Sequence, residues 1–316
     1  MAQSEHESPQ MREEAGGFVP GLESQPAFTL RAPLSSPLPV LIAVPHAGRA
    51  YPGSLLAAMR DANFASLRLE DRLVDQVADE VALLSGAALI VAHAPRAMLD
   101  LNRARDDIDW EMITGQRPHP ARHSQANRRA RSGLGLVPRR LPGFGEVWRG
   151  PLPREELDRR IDGIHRPYHT AIARELAQIR DRWGAALLLD LHSMPPLRGQ
   201  AGQAEAPQFV LGDRFGTSCD ADLVGRGFRY LEAKGKPVAH NRPYAGGFVL
   251  DAHSAPARGL HAMQLEVCRS TYLDARLAEA TARIGVLARL VAGMVRELGE
   301  AVAEIGRGAQ LQHAAE

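Results

Sequence analysis

The chain has 316 residues, 45% of them hydrophobic, which is enough apolar surface for a sizeable core. Its 38 Lys and Arg nearly balance 37 Asp and Glu, so no whole-molecule field argues for a nucleic-acid or membrane partner. Two cysteines, Cys219 and Cys268, are too few for a disulfide framework, and no run approaches the roughly 18 apolar residues that span a bilayer. Residues 1–14 are polar and acidic, without the apolar stretch of a secretory signal, and a reducing cytoplasm is the expected compartment.

Residues 1–35 mix Ser, Glu, Gln, Gly and Pro without helical or strand period and read as a flexible N-terminal tail, leaving 36–316 as a single domain. The apolar run over 38–44 (ending PVLIAV) empties into Pro45-His46, as a buried strand does at its carboxyl end. In EDRLVDQVADEVALL (70–84) apolar residues at 73, 74, 77, 78, 81 and 84 predict a helix. Ser85-Gly86 stops it, and 87–92 predicts a second buried strand, parallel to the first. Between 103 and 150 the period is lost and Gly, Pro and Arg accumulate. Helical spacing resumes over 154–183, where Pro167 breaks or starts the helix. AALLLDL (185–191) predicts a further buried strand, with others at 208–211, 237–240 and 261–267, and helices at 220–234 and 274–304. This alternation predicts the α/β class: a mixed, mainly parallel sheet sandwiched between helices.

Ligands of open α/β sheets bind beyond the carboxyl ends of the strands. Three such ends carry reactive groups: His46, His192 and Glu266, with Glu70-Asp71 opening the helix after the first strand. Two imidazoles and a carboxylate are a common ligand set for catalytic zinc. Each group alone has a plainer role: a histidine at a strand end is commonly structural, and an acid in a first helical turn commonly complements the helix dipole. Their convergence favours the metal. Asp190 shares a strand face with His192 and could orient its ring. Arg96 and Arg103 offer the planar fork that grips carboxylates, or else pair with Asp100 or Asp106 at the surface. In NRPYAGG (241–247), Gly246 and Gly247 could let backbone approach a ligand, with Arg242 and Tyr244 in reach. His165 and His169 stand four apart but lack the HExxH pattern and have Pro167 between them, so structural roles are expected for both.

Seven segments together resemble the N-formylglutamate amidohydrolases: VPHAGRAYP (44–52), EDRLVDQVADEV (70–81), PRAMLDLNR (95–103), PYH (167–169), DLHS (190–193), NRPYAGG (241–247) and HAMQLEV (261–267). Their order and spacing fit from about residue 38 to 300. The resemblance implies a zinc-exopeptidase-like fold and one zinc ion per chain, held by His46, His192 and Asp71, with Glu70 a rival for the third place. It makes Glu266 the general base, Asn102 and Arg103 the clamp for the substrate's α-carboxylate, and Arg96 a stabiliser of the oxyanion. The implied substrate is a small, carboxylate-bearing N-acyl compound, N-formyl-L-glutamate first, hydrolysed to formate and L-glutamate in histidine breakdown.

The nearest rival is a related zinc amidohydrolase or carboxypeptidase-like enzyme acting on another N-acyl amino acid or a short peptide. Further off are a carboxylate-binding protein without turnover, and an RNA binder using the seven arginines between 117 and 140. That stretch lacks interleaved aromatics, so no nucleic-acid partner is expected. Oligomeric state and a lid role for the same stretch are not legible in the sequence.

Overall fold

A computed structural model describes residues 10–115, 128–198 and 205–315. Its eight-stranded sheet comprises β1 (Met11–Gly16), β2 (Phe28–Pro33), β3 (Val40–Val44), β4 (Ala88–Ala92), β5 (Ala186–Met194), β6 (Phe209–Gly212), β7 (Val238–His240) and β8 (Leu260–Cys268). The helices that matter for the site are α1 (Ala62–Leu69), α2 (Val74–Ser85), α3 (Arg166–Trp183), α4 (Ala221–Ala233), α5 (Phe248–His253) and α6 (Ile284–Ala315). The strand order is β1-β2-β4-β3-β5-β8-β6-β7. The middle four, β4-β3-β5-β8, run parallel; β1 on β2, β2 on β4 and β6 on β8 are antiparallel, and β7 lies parallel to β6. The fold is thus the expected mixed α/β sheet.

Strands covered on both faces read as unbroken apolar runs, and β3 and β5 are buried at every position. Ile42, Leu187, Leu189 and Leu265 pack on the side of α2, α4 and α6; Leu41, Leu188 and Ala262 pack on the side of α3, against Ile172 and Leu176. Strand alternation then carries Asp190 and His192 onto the α3 side after Leu188, and Gln264 and Glu266 onto it after Ala262. The parallel register sets Glu266 opposite His192 and Gln264 opposite Asp190. Two strands therefore present four polar side chains on one face at their carboxyl ends.

Four expectations are corrected. The segment 1–35 is not a free tail over its described part: β1 and β2 form an antiparallel pair with Met11 opposite Pro33 and Gly16 opposite Phe28. Phe28, Leu30 and Ala32 alternate inward in a six-residue strand, too short a signal among Gly and Pro to stand out, and ion pairs of Arg12 with Glu175 and Glu14 with Arg174 fasten the edge strand to α3. Residues 1–9 lie outside the described residues. Second, α2 starts at Val74 rather than 70. Glu70 ends α1, and Asp71 lies in the connecting turn, where its N–H donates to the His46 carbonyl at 2.9 Å. Third, of the two readings of Pro167 only the break is corrected: the proline stands in the first turn of α3 and starts it, while an α-helical Arg154–Arg160 and a π turn over Ile161–His165 lead into it without a gap. A proline cannot donate to the carbonyl four residues back, and that carbonyl, Gly163 O, instead accepts the Phe18 N–H at 2.9 Å. Fourth, α6 begins at Ile284, not 274, because the Asp274 carboxylate takes the Ala278 and Glu279 N–H groups and holds a turn there.

Cys219 and Cys268 are both buried and free. Among the described residues no helix is long and apolar enough to cross a membrane.

Candidate active site

His46, two residues beyond β3, Asp71 in the α1–α2 turn and His192 in β5 are all buried, and one donor atom from each lies within 4.8 Å of the others. Each ring is held from behind. Nε2 of His46 is 2.7 Å from Asp100 Oδ1, and Nε2 of His192 is 2.9 Å from Asp190 Oδ2. Ionised carboxylates only accept, so both Nε2 atoms carry the proton, and the Nδ1 atoms face Asp71 Oδ2 at 3.7 Å and 3.0 Å. Nδ1 of His46 is buried without a hydrogen-bond partner. Two imidazole nitrogens and a carboxylate turned toward one point form a socket for a cation, and carboxylates behind the histidines are the usual support for metal ligands. The N, N, O donor set fits a catalytic zinc that keeps a place for water. The local charges agree. Burial opposes a charge on His192, but Asp190 and Asp71 outweigh it and raise its pKa well above the ordinary range; the two histidines likewise hold Asp71, against burial, well below the usual carboxylate range. Glu70 is turned away, with Oε2 at 3.1 Å from Arg72 Nη1.

Glu266 is buried beside His192 and accepts from Gln264 Nε2 at 3.0 Å. Burial, aided by Asp71 and Asp190 and opposed by His192 and Arg96, pushes its pKa up to about 7. A carboxyl poised there can take a proton and return it. His46, Asp71, His192 and Glu266 open on one cavity of about 320 Å³, which Arg96, Asn102, Arg103 and Tyr244 also line. Arg96 binds Asp100 Oδ2 through Nε at 2.9 Å. Arg103 is fixed by the Leu134 and Asn102 carbonyls at 2.8 Å and 2.6 Å, with Nη2 3.8 Å from Asp100. The ion-pair role and the cavity role thus coexist: Asp100 joins both arginines to the histidine cluster.

The family model for N-formylglutamate amidohydrolase matches residues 38–273. The chain belongs to the N-formylglutamate amidohydrolase family. It is 34% identical over 246 residues to an N-formylglutamate deformylase of Pseudomonas putida, covering 75% of this chain and 82% of that protein. An N-formylglutamate deformylase of Pseudomonas aeruginosa is 31% identical over 286 residues, 85% of this chain and 94% of the relative. A crystal structure of N-formylglutamate amidohydrolase from Ralstonia eutropha JMP134 superposes with TM-score 0.77 at 32% identity, covering 87% of this chain and 98% of that one. The chain is accordingly an amidohydrolase.

Within this amidohydrolase, one expected substrate residue is misplaced. Arg242 is exposed and does not line the cavity, because the turn that brings Pro243 and Tyr244 to the wall points its neighbour outward. Gly247 does serve a close approach, but to protein: a Cβ there would meet Asn102 Oδ1 at 2.5 Å.

Several wall residues escape sequence reading. Arg269 is buried, with Nε 3.1 Å from Ser193 Oγ and Nη2 on the Glu70 carbonyl and 3.4 Å from Asp71 Oδ1, so it braces the α1–α2 turn that carries Asp71. It follows β8 directly, and nothing in its sequence neighbourhood marks it. Gln264 is the one that sequence could reveal, since it shares the inward parity of Glu266. Arg68 and Arg129 line the cavity as exposed groups. Arg129 belongs to the arginine-rich stretch, of which 116–127 lie outside the described residues.

His165 and His169 are not metal ligands here. Their rings pack at a tilt with centroids 4.3 Å apart, and His169 stacks on His253 at 5.2 Å, so that the three form a cluster behind the Asn102 segment. Burial lowers all three pKa values, His253 to about 4 from the ordinary 6.5. The native state therefore binds fewer protons than the unfolded chain between those values, and stability falls as pH drops from about 6.5 toward 4. Wild type should lose up to about 3 kcal/mol more than His253→Gln over that window. Urea midpoints at both ends of the window check this, and equal losses would contradict it.

Proposed function

We propose that this amidohydrolase cleaves the amide bond of N-formyl-L-glutamate, giving formate and L-glutamate, with one zinc ion held by His46, Asp71 and His192. The observation that carries the reading is the opening of that three-residue socket and Glu266 onto one arginine-lined cavity. A volume of about 320 Å³ is at the lower end for ligand sites and suits a single small amino-acid derivative. The names of the deformylase relatives support the substrate. Bound in the socket, zinc would acidify water and polarise the substrate's acyl oxygen.

The protein's own groups do the rest. Glu266 takes a proton from the attacking water, stores it at a carboxyl that burial already inclines toward protonation, and returns it to the leaving amine. Asp100 and Asp190 hold the histidine rings with Nδ1 forward. Arg96, tied to Asp100, stabilises the oxyanion as it develops. Asn102 and Arg103 receive the α-carboxylate, and Tyr244 closes the wall beside it. A cytoplasmic role in histidine breakdown completes the proposal.

Arg103→Ala should raise KM for N-formyl-L-glutamate by roughly ten- to hundredfold, the loss of a charge-assisted hydrogen bond, with a smaller change in kcat. Unchanged steady-state kinetics would leave Arg103 only its contacts with Asp100 and with the Leu134 and Asn102 carbonyls. The substrate itself is tested by measuring L-amino acid release from N-formyl-L-glutamate, N-formyl-L-glutamine and N-acetyl-L-glutamate. The reading predicts the largest kcat/KM for the first. A preference for either of the others would assign the site to a different N-acyl amino acid.

A further inference from the structure

Asn102 is fixed on every side but one. Its N–H donates to Asp100 Oδ1 at 2.8 Å, and its Oδ1 accepts the Val249 N–H at 2.9 Å at the start of α5. That second bond assigns the amide orientation, leaving Nδ2 as the donor end. Nδ2 lies 3.4 Å from His192 Nε2, whose proton already goes to Asp190, so two donors face each other and Nδ2 is left for a ligand.

The carbonyls on either side of Asn102 are both taken by histidines. His169 Nε2 donates to Leu101 O at 3.0 Å, and His165 Nε2 donates to Arg103 O at 2.9 Å. With its proton placed there, His169 presents Nδ1 as an acceptor, and His253 Nε2 donates to it at 2.9 Å. His165 is delivered by a π turn, Ile161–His165, that inserts a residue just before α3, a device commonly found where a helix must present a side chain. Phe248 of α5 packs against both rings, at centroid distances of 5.5 Å to His165 and 5.0 Å to His169. The cluster thus holds the backbone of the Asn102 segment and the helix start that fixes the Asn102 side chain, and none of the three histidines lines the 320 Å³ cavity.

We propose that His165, His169 and His253 are positioning residues that fix Asn102 and Arg103 for the substrate carboxylate without touching it, an inference that rests on the N-acyl amino acid reading above. Their work then lies in substrate binding and not in the chemical step. His165→Leu keeps an apolar body and removes the donor; His165→Gln returns an N–H at similar reach. In the zinc-loaded enzyme His165→Leu should raise KM for N-formyl-L-glutamate about tenfold with kcat within about twofold, the size of one hydrogen bond, and His165→Gln should restore KM to within about threefold. Calorimetric affinity for L-glutamate should follow the same order without turnover. A merely structural role would lower the melting temperature of the Leu variant and leave KM where it was, and that result overturns the proposal. So does a fall in kcat at constant KM. Should His165→Leu fail to fold, His253→Leu, which removes the donor to His169, carries the same prediction, with His253→Gln as its restoring variant. If wild type turns over N-formyl-L-glutamate and the variants match it, positioning fails alone; if wild type neither turns it over nor binds L-glutamate, the substrate reading fails and takes the proposal with it.

Discussion

Glu266→Gln should retain one zinc per chain and lose about 10²- to 10⁴-fold in kcat, the usual worth of a placed general base. The change preserves shape, and the introduced amide can still accept from Gln264 through its carbonyl oxygen, so packing in β8 is kept. What disappears is the one function an amide cannot imitate, holding a proton. Glu266 is not a member of the His46, Asp71, His192 set, which is why metal content and turnover should separate. Elemental analysis beside steady-state kinetics reads both. Near-normal turnover would move the base elsewhere, and lost zinc would make Glu266 a ligand.

His46→Ala and His192→Ala should each abolish stoichiometric zinc, since two protein donors fall short of the three that a catalytic zinc site uses. Their effects on stability should differ. Asp100, behind His46, keeps Arg96 and the Asn102 N–H when the ring is removed. Asp190, behind His192, has one oxygen already buried without a partner, and its other oxygen bonds the ring that would be lost. Stranding a buried carboxylate costs about 3–5 kcal/mol, so His192→Ala should melt well below His46→Ala at neutral pH. Full zinc in both variants would sink the ligand assignment, and equal melting temperatures would contradict the account of Asp190.

The legible parts of this protein are those where one chemical constraint dominates. Central strands buried on both faces leave apolar runs, so β3, β4 and β5 can be placed within a few residues, and the rule that ligands gather at their carboxyl ends leads directly to His46 and His192. The Glu70-Asp71 pair is legible, but the choice between the two and their setting are not: the spacing predicts a helix start, and a turn braced by Arg269 is what places Asp71. Such bracing runs through backbone carbonyls and leaves no residue pattern. The strands β1 and β2 stay hidden because each has only six residues, β1 half-exposed at the sheet's edge, and the pairing of β2 with β4 supplies what its own sequence lacks. Arg242 is misplaced for a related reason: a motif names residues of a turn without saying which side chain faces inward. The importance of His165 and His169 is concealed because their partners are the carbonyls of residues 101 and 103, more than sixty positions away.

The most direct test of the central claim is formate release from N-formyl-L-glutamate by purified protein before and after chelation, with zinc then returned. The account predicts steady release, loss after chelation, and recovery as zinc approaches one equivalent per chain. Release that continues undiminished in protein shown to be free of metal would contradict it.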